Sequence, residues 1–294
     1  MQYWRAYDLV FFDCDSTLTR IEGVDELARL KGLYDEVQRL TAAAMEGEVH
    51  LSSVYDRRLE LLRPTRADMR AVQRLYQAQL VPDAAELMAA LHYLRRQVFI
   101  VSGGLAPAVI PFGQSLGVPR AHIRAVDVRF NRLAGNWWDY PGRRYGANPD
   151  ETYIDHEAGP LVETNGKAEV IHQLRANRPG RAVLIGDGVS DLAARPAVDL
   201  MVGFGGVVRR RRVAAEADVF IECESLAPVF PIVASPSDCT RCAETPYLAL
   251  LNKGLNLIQA GAVRFRDPAL RERLLKAYLG EPVSQAQPPQ VLSY

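Results

Sequence analysis

The chain has 294 residues, 48% of them apolar and 24% charged, with 35 Lys and Arg against 35 Asp and Glu. That composition excludes a disordered, collagen-like or disulfide-stapled chain, and a zero formal charge gives no global pull toward nucleic acid or anionic lipid. No stretch approaches the ~20 apolar residues of a membrane span, no basic-then-apolar leader is visible, and Cys14, Cys223, Cys239 and Cys242 make no disulfide framework. A soluble cytoplasmic protein is expected, with no nucleic-acid or membrane partner.

The first predicted element is the apolar run Leu9-Val10-Phe11-Phe12, which ends on Asp13. Runs of the same kind follow: Val98–Val101 before Ser102, Val183–Ile185 before Gly186-Asp187, Leu200–Val202 before Gly203, and Val219–Ile221 before Glu222. Continuous runs rich in β-branched and aromatic residues predict strands buried on both faces. Helical patterns between them predict an α/β fold, a doubly wound (Rossmann-like) and mostly parallel sheet with helices on both sides. In such sheets ligands bind beyond the carboxyl ends of the strands. Asp13, Asp15, Ser102, Asp187 and Asp191 fall there.

Residues 20–84 interrupt the alternation and read as a small helical cap inserted after the first strand. Within it Leu51, Tyr55, Arg58 and Leu62 share one helix face, and Thr65-x-x-Asp68 is a capping box opening a stretch with Met69, Val72, Leu75 and Leu80. Over 126–165, Val126, Val128 and Phe130 alternate with polar residues, Asn131 and Gly135 mark turns, and Trp137-Trp138 follow. The pattern predicts a β-hairpin flap and then an irregular loop. Beyond 236, Thr245-Pro246 and Asp267-Pro268 each start a helix, and Gly280 and Pro282 stop the second. The expected organisation is a catalytic core over 1–19 and 85–235, a cap over 20–84, and a helical C-terminal extension over 236–294. The extension's apolar faces either pack on the core or join two copies in a homodimer.

Asp13-Cys14-Asp15-Ser16-Thr17 follows the first strand, and alternation lets Asp13 and Asp15 point the same way. Two carboxylates at a strand end are costly unless a cation lies between them. Magnesium fits best, because it takes oxygen ligands, keeps waters and shares itself with phosphates. Gly186-Asp187-Gly188-Val189-Ser190-Asp191 brings a second acidic pair to the same end. Ser102-Gly103-Gly104 offers a hydroxyl and free N–H groups at a strand-to-helix turn, an anion cradle. Lys167 opens a helix, where the dipole disfavours a cation unless an anion is near. Taken singly these are also a solvated acidic loop, a capped turn, a helix cap and a surface lysine. Their order along the chain is the informative feature. Arg58, on an apolar face, needs an anionic partner or a route to water.

The ordered set DxDST, SGG, lysine before a helix, and GDGxxD resembles the haloacid dehalogenase superfamily over about residues 8–233. Phe12–Leu18, Glu22–Ala28, Ala44–Gly47, Arg57–Leu61 and Gly203–Arg210 resemble the phosphoserine phosphatase family within it. The resemblance implies Asp13 as nucleophile and Asp15 as general acid and base. It implies Mg2+ held by Asp13, Asp187 and the backbone carbonyl of Asp15, and phosphate held by Ser102, Gly103 and the catalytic Lys167. Ser190 and the supporting Asp191 complete the second acidic loop. Glu22 would take the substrate ammonium and Arg58 its carboxylate, with Met45 and Gly47 shaping the pocket wall and Arg210 at its rim. The family usually has phenylalanine where Leu51 stands and Thr or Asn where Ser190 stands. The implied reaction turns O-phospho-L-serine and water into L-serine and phosphate through an aspartyl-phosphate, the last step of serine biosynthesis. Two rivals remain at this level. One is the same chemistry on phosphothreonine, phosphohomoserine or phosphocholine, and the other is a regulatory or scaffold protein acting through the C-terminal helices.

Overall fold

All four side chains of β1 (Leu9–Phe12) are buried, because the strand lies at the centre of a sheet covered on both faces. The computed structural model describes residues 4–45, 51–131 and 149–280, with backbone only for 41–45 and 51–53. Gly47, Gly135, Trp137, Trp138 and Pro282 lie outside the described residues, as do the side chains of Met45 and Leu51.

After β1 the chain makes four helices, α1 (Gly23–Lys31), α2 (Tyr34–Met45), α3 (Leu51–Leu62) and α4 (Arg66–Ala78). α1 stops at Gly32, whose φ of +69° gives the left-handed cap that favours glycine. α4 starts on the expected box: Asp68 N–H donates to Thr65 Oγ1 (3.1 Å), and Thr65 N–H donates to Asp68 Oδ2 (2.8 Å). α5 (Ala84–Tyr93) leads to β2 (Gln97–Leu105), α6 (Ala106–Ser115), β3 (Ile123–Val126), β4 (Val128–Phe130) and β5 (Tyr153–His156). Then come α7 (Gly166–Arg175), β6 (Ala182–Gly186), α8 (Val189–Ala193), β7 (Leu200–Phe204), α9 (Arg211–Glu216) and β8 (Val219–Ile221). α10 (Val229–Val233), α11 (Pro236–Cys242), α12 (Tyr247–Gln259), β9 (Val263–Phe265) and α13 (Pro268–Leu279) complete the described chain.

The main sheet has seven strands in the order β3-β2-β1-β6-β7-β8-β9, parallel except for β9, which runs antiparallel to β8. Alternate residues face opposite layers. Val10, Phe12, Val98, Ile100, Val183 and Ile185 pack with α5, α6 and α12, while Leu9, Phe11, Phe99, Val101 and Leu184 pack with α7. Two-sided burial is what the unbroken apolar runs foretold. The strand order reverses at β1, so the crevice lies beyond the ends of β1 and β6. Register fixes its walls: Phe12 lies between Ile100 and Ile185, and Asp13 N–H donates to the Ile185 carbonyl (2.9 Å).

Three features differ from the sequence expectation. β2 runs on to Leu105, so Ser102-Gly103-Gly104 is not a turn after the strand but its irregular last part, where pairing with β3 slips between Val101 and Leu105. Val126 belongs to β3 in the main sheet, and the flap is the antiparallel pair β4–β5 alone. The chain beyond 236 is not only helical, since β9 adds an edge strand. Leu250, Leu251, Leu255, Ile258 and Leu274 of that region are buried in the main core. The flap is stitched to the α3–α4 corner: Tyr153 N–H donates to the Pro64 carbonyl (2.8 Å) and Arg66 N–H to the Glu151 carbonyl (3.1 Å). No helix among the described residues is long and apolar enough to cross a membrane.

Candidate active site

Beyond the ends of β1, β2 and β6 lies a cavity of about 260 Å³, lined by Asp13, Asp15, Glu22, Arg58, Gly103, Lys167, Asp187, Ser190 and Arg210 among others. Nine of the expected site residues thus meet in one space, drawn from both the core and the helices of 20–84. Ser102 lies fully buried beneath the loop, its Oγ accepting Gly104 N–H (3.0 Å). Asp191 is likewise buried below the floor.

Lys167 is the electrostatic pivot. Its ammonium lies 2.9 Å from Asp13 Oδ1 and 2.7 Å from Asp191 Oδ1. Burial alone would drive off its proton, but the two carboxylates outweigh that and hold its pKa above the ordinary range. Asp13 Oδ1 also accepts Cys14 N–H (2.8 Å), and Asp191 Oδ2 accepts Gly188 N–H (2.9 Å). Burial, then the charge of Asp13, pushes Asp191 up to about 7. Cys14 itself is buried in the main core.

Asp187 is held well above the carboxylate range, first by burial and then by Asp13. Its Oδ1 accepts from Thr17 Oγ1 (3.3 Å). Its Oδ2 is buried without a hydrogen-bond partner, although Arg210 Nη2 sits 3.0 Å away. Asp13, Asp187 and Asp191 each bring a carboxylate oxygen within 4.8 Å of the others. Such an all-oxygen set, with one buried acceptor unmatched, fits a hard divalent cation. Asp191 commits both oxygens, Oδ1 to Lys167 and Oδ2 to Gly188 N–H, whereas the contacts of Asp13 fall on Oδ1 and Asp187 Oδ2 accepts no hydrogen bond among the described residues.

Asp15 turns its side chain away from that cluster. Its Oδ1 accepts Gly23 N–H (2.7 Å) and Tyr76 Oη–H (2.7 Å). Burial, then Glu22 and Asp13, pushes its pKa up to about 8, so it holds a proton at neutral pH. Glu22 is also raised, chiefly by burial, and its Oε1 accepts from Ser16 Oγ (2.8 Å) and Arg210 Nη2 (3.2 Å). Arg210 therefore bridges Glu22 and Asp187 rather than standing alone at the rim.

Arg58 comes from α3, where Tyr55 and Leu62 of the same stripe are buried. Its Nε is buried with no hydrogen-bond partner among the described residues, and burial lowers its pKa. The guanidinium lies 5.6 Å from the centre of the Tyr55 ring. A planar double donor that faces the cavity without a carboxylate in hydrogen-bond reach among the described residues is suited to receive one. Tyr55 Oη–H in turn donates to the Gly103 carbonyl (3.1 Å), joining α3 to the strand end.

The sequence pattern placed Tyr55 only as packing and did not single out Tyr76 or Asp25. The spacing Met69, Val72, Tyr76 could have found Tyr76 as the buried face of α4.

A Rossmann-like sheet with paired carboxylates and a lysine at its switch point defines a class, and the comparisons agree. The chain belongs to the haloacid dehalogenase-like hydrolases, whose family model matches residues 7–199. Within them it groups with phosphoserine phosphatases. It is 36% identical over 218 residues to the Homo sapiens phosphoserine phosphatase, across 73% of this chain and 88% of the relative. The Bos taurus phosphoserine phosphatase is 34% identical over 215 residues, with the same 73% and 88% coverage. A solved substrate-bound phosphoserine phosphatase complex shares the fold, with a TM-score of 0.62 at 23% identity over 78% of this chain and 100% of that one. The chain is accordingly an enzyme, a phosphatase-type hydrolase.

Proposed function

We propose that this enzyme hydrolyses O-phospho-L-serine to L-serine and phosphate. The observation that carries the reading is Arg58, half-buried, with a buried Nε that has no hydrogen-bond partner among the described residues, facing the same cavity as Asp13, Lys167 and Asp187. A phosphorylated amino acid presents a phosphate to one end of such a site and a carboxylate to the other. Glu22 complements the ammonium, since Ser16 and Arg210 both occupy its Oε1 and leave Oε2 for the substrate.

Asp13 is the nucleophile. Lys167 lies 2.9 Å from its Oδ1 and offers charge to the phosphoryl oxygens. Asp15 carries the proton that the leaving serine oxygen needs, then accepts one from the water that releases phosphate. Gly103, with Ser102 buttressing the loop through Gly104, contributes the phosphate cradle, and Ser190 lies on the opposite wall. Asp13, Asp187 and the Asp15 carbonyl would hold Mg2+, which supplies charge neutralisation for the transferring group. Asp191 acts through Lys167 by orienting it. Residues 20–84 serve as the substrate-selecting cap over the 1–19 and 85–235 core. On this reading the enzyme works in the cytoplasm in serine biosynthesis.

The test is a panel of phosphomonoesters assayed with magnesium: phosphoserine, phosphothreonine, phosphohomoserine, phosphocholine and phosphoethanolamine. Phosphoserine is expected to give the highest kcat/KM. A tenfold preference for phosphocholine or phosphoethanolamine, which lack a carboxylate, would overturn the role of Arg58.

A further inference from the structure

We infer that Tyr76 is a positioning residue for the proton-transferring carboxyl of Asp15, and that position 23 is glycine so that the two can meet. The inference rests on the phosphatase reading above and adds to it a residue from α4.

Tyr76 is 1% exposed and sits in the apolar core, its ring 5.3 Å from that of Phe112. Phenylalanine would satisfy that packing. A buried phenol needs a partner for its hydroxyl, and here the partner is Asp15 Oδ1 at 2.7 Å. Gly23 N–H donates to the same oxygen at 2.7 Å. An amide N–H can only donate, so Oδ1 is the acceptor oxygen of this carboxyl. Two donors from different elements fix the carboxyl plane. Neither donates to Oδ2, which lies in the cavity wall against Gly104, 2.9 Å from where a Cβ on that residue would stand. The geometry therefore assigns the mobile proton to Oδ2.

Gly23 completes the argument. A Cβ there would fall 2.0 Å from the Tyr76 hydroxyl oxygen and 2.9 Å from its ring carbon Cζ. No side chain at 23 is compatible with the Tyr76–Asp15 hydrogen bond in this position, although the backbone at Gly23 is ordinary helix. The requirement is close approach rather than conformation.

In the first half-reaction an Asp13 oxygen bonds to phosphorus and the phosphorus–oxygen bond to serine breaks. The electron pair stays on the serine oxygen, which takes the proton from Asp15 Oδ2. In the second, water attacks phosphorus, its proton passes to Asp15 Oδ2, and the Asp13–phosphorus bond breaks. Misplacing Oδ2 harms the first half in proportion to how badly the leaving oxygen needs a proton.

The experiment compares Tyr76→Phe, Gly23→Ala and the double variant on phosphoserine and on 4-nitrophenyl phosphate, with magnesium. For Tyr76→Phe we expect about a 10- to 100-fold loss of kcat/KM on phosphoserine and less than about threefold loss of kcat/KM on the nitrophenyl ester, whose phenoxide leaves unprotonated; kcat/KM ends at formation of the aspartyl-phosphate and so excludes the second half-reaction, which the two esters share. Gly23→Ala should show the same selectivity, and the double variant should be no worse than the weaker single one. The ratio of the two substrates on one preparation is indifferent to the fraction of folded enzyme, so loss of stability cannot mimic the effect. Equal losses on both esters, or losses that multiply in the double variant, would overturn the role of Tyr76 while leaving the phosphatase reading intact. A wild-type enzyme that cleaves neither ester would overturn the phosphatase reading, and the role of Tyr76 with it.

Discussion

Replacing Arg58 with Met keeps most of the stem and removes the charge. In the free enzyme Arg58 is half-buried, its buried Nε has no hydrogen-bond partner among the described residues, and its guanidinium lies 5.6 Å from the centre of the Tyr55 ring. An uncompensated buried cation costs stability, and an apolar isostere recovers part of it. We expect Arg58→Met to be about 1 kcal/mol more stable, a rise in Tm of roughly 2–4 °C for a chain of this size. Binding moves the other way. A bidentate grip on a carboxylate is worth about 3 kcal/mol once desolvated, so kcat/KM for phosphoserine should fall roughly 150-fold, mostly through KM. Phosphoethanolamine lacks the carboxylate and should change by less than about threefold. Differential scanning calorimetry and steady-state kinetics on the two substrates decide it. A lower Tm together with equal losses on both substrates would mean that Arg58 is a packing residue, and the carboxylate role would fall.

Other perturbations reach different parts of the same site. Lys167→Met leaves the fully buried Asp191 without its cation, and calorimetry should show a loss of about 3–5 kcal/mol. Magnesium should raise Tm in the wild type in proportion to the logarithm of its concentration, and Asp187→Asn should abolish that rise; an unchanged rise would exclude Asp187 as a ligand. At Asp68 burial favours the proton, but hydrogen bonds from Lys31 and Thr65 prevail and hold the pKa below its ordinary 3.8. Its contribution, about 1 kcal/mol, is therefore present above pH 4 and lost as pH falls below it. Urea titrations should find Asp68→Asn less stable than wild type at pH 7 and matched to it near pH 2.

The central strands were legible because burial on both faces leaves nothing but apolar residues between Leu9 and Phe12 or Val183 and Ile185. β3 and β9 were not. Ile123–Val126 is buried only at its two ends, and Val263–Phe265 is a three-residue edge strand whose Arg264 points to solvent. Short edge strands carry half a pattern, too little to outweigh a helical or loop reading. Within the site, residues carried by strand-end motifs could be read in order, since the parallel sheet brings successive strand ends to one side. Contacts made across the chain could not. Nothing in the run Arg209–Arg212 indicates that Arg210 reaches Glu22 and Asp187, and nothing near Tyr76 indicates Asp15. Such pairings depend on how the helices of 20–84 lie over the sheet, which a linear pattern does not encode.

The balance of charge in the cavity explains why these residues belong together. Asp13, Asp15, Glu22, Asp25 and Asp187 line it against Arg58, Lys167 and Arg210, and Asp191 lies just below. Lys167 is shared by Asp13 and Asp191, and Arg210 by Glu22 and Asp187. Of the three, Arg58 has no ion-paired carboxylate among the described residues, and the proposed function gives it the substrate's carboxylate. At the other end, a phosphate dianion would face more negative charge than positive. The raised pKa values of Asp15, Asp187 and Asp191 are the free enzyme's partial answer, since protons neutralise part of the crowd. Asp15 can keep its proton and use it. On the proposed mechanism Asp13 must act as the carboxylate, because only that form attacks phosphorus. A doubly charged cation held between Asp13 and Asp187 would offset their charge, and phosphate would approach the pair more readily for it. Metal and phosphate must then bind with positive coupling, each tightening the other by the same factor. Calorimetric titration of inorganic phosphate with and without magnesium should show that factor to be tenfold or more. Equal phosphate affinity in the two titrations would mean that the acidic cluster and the phosphate cradle are separate sites.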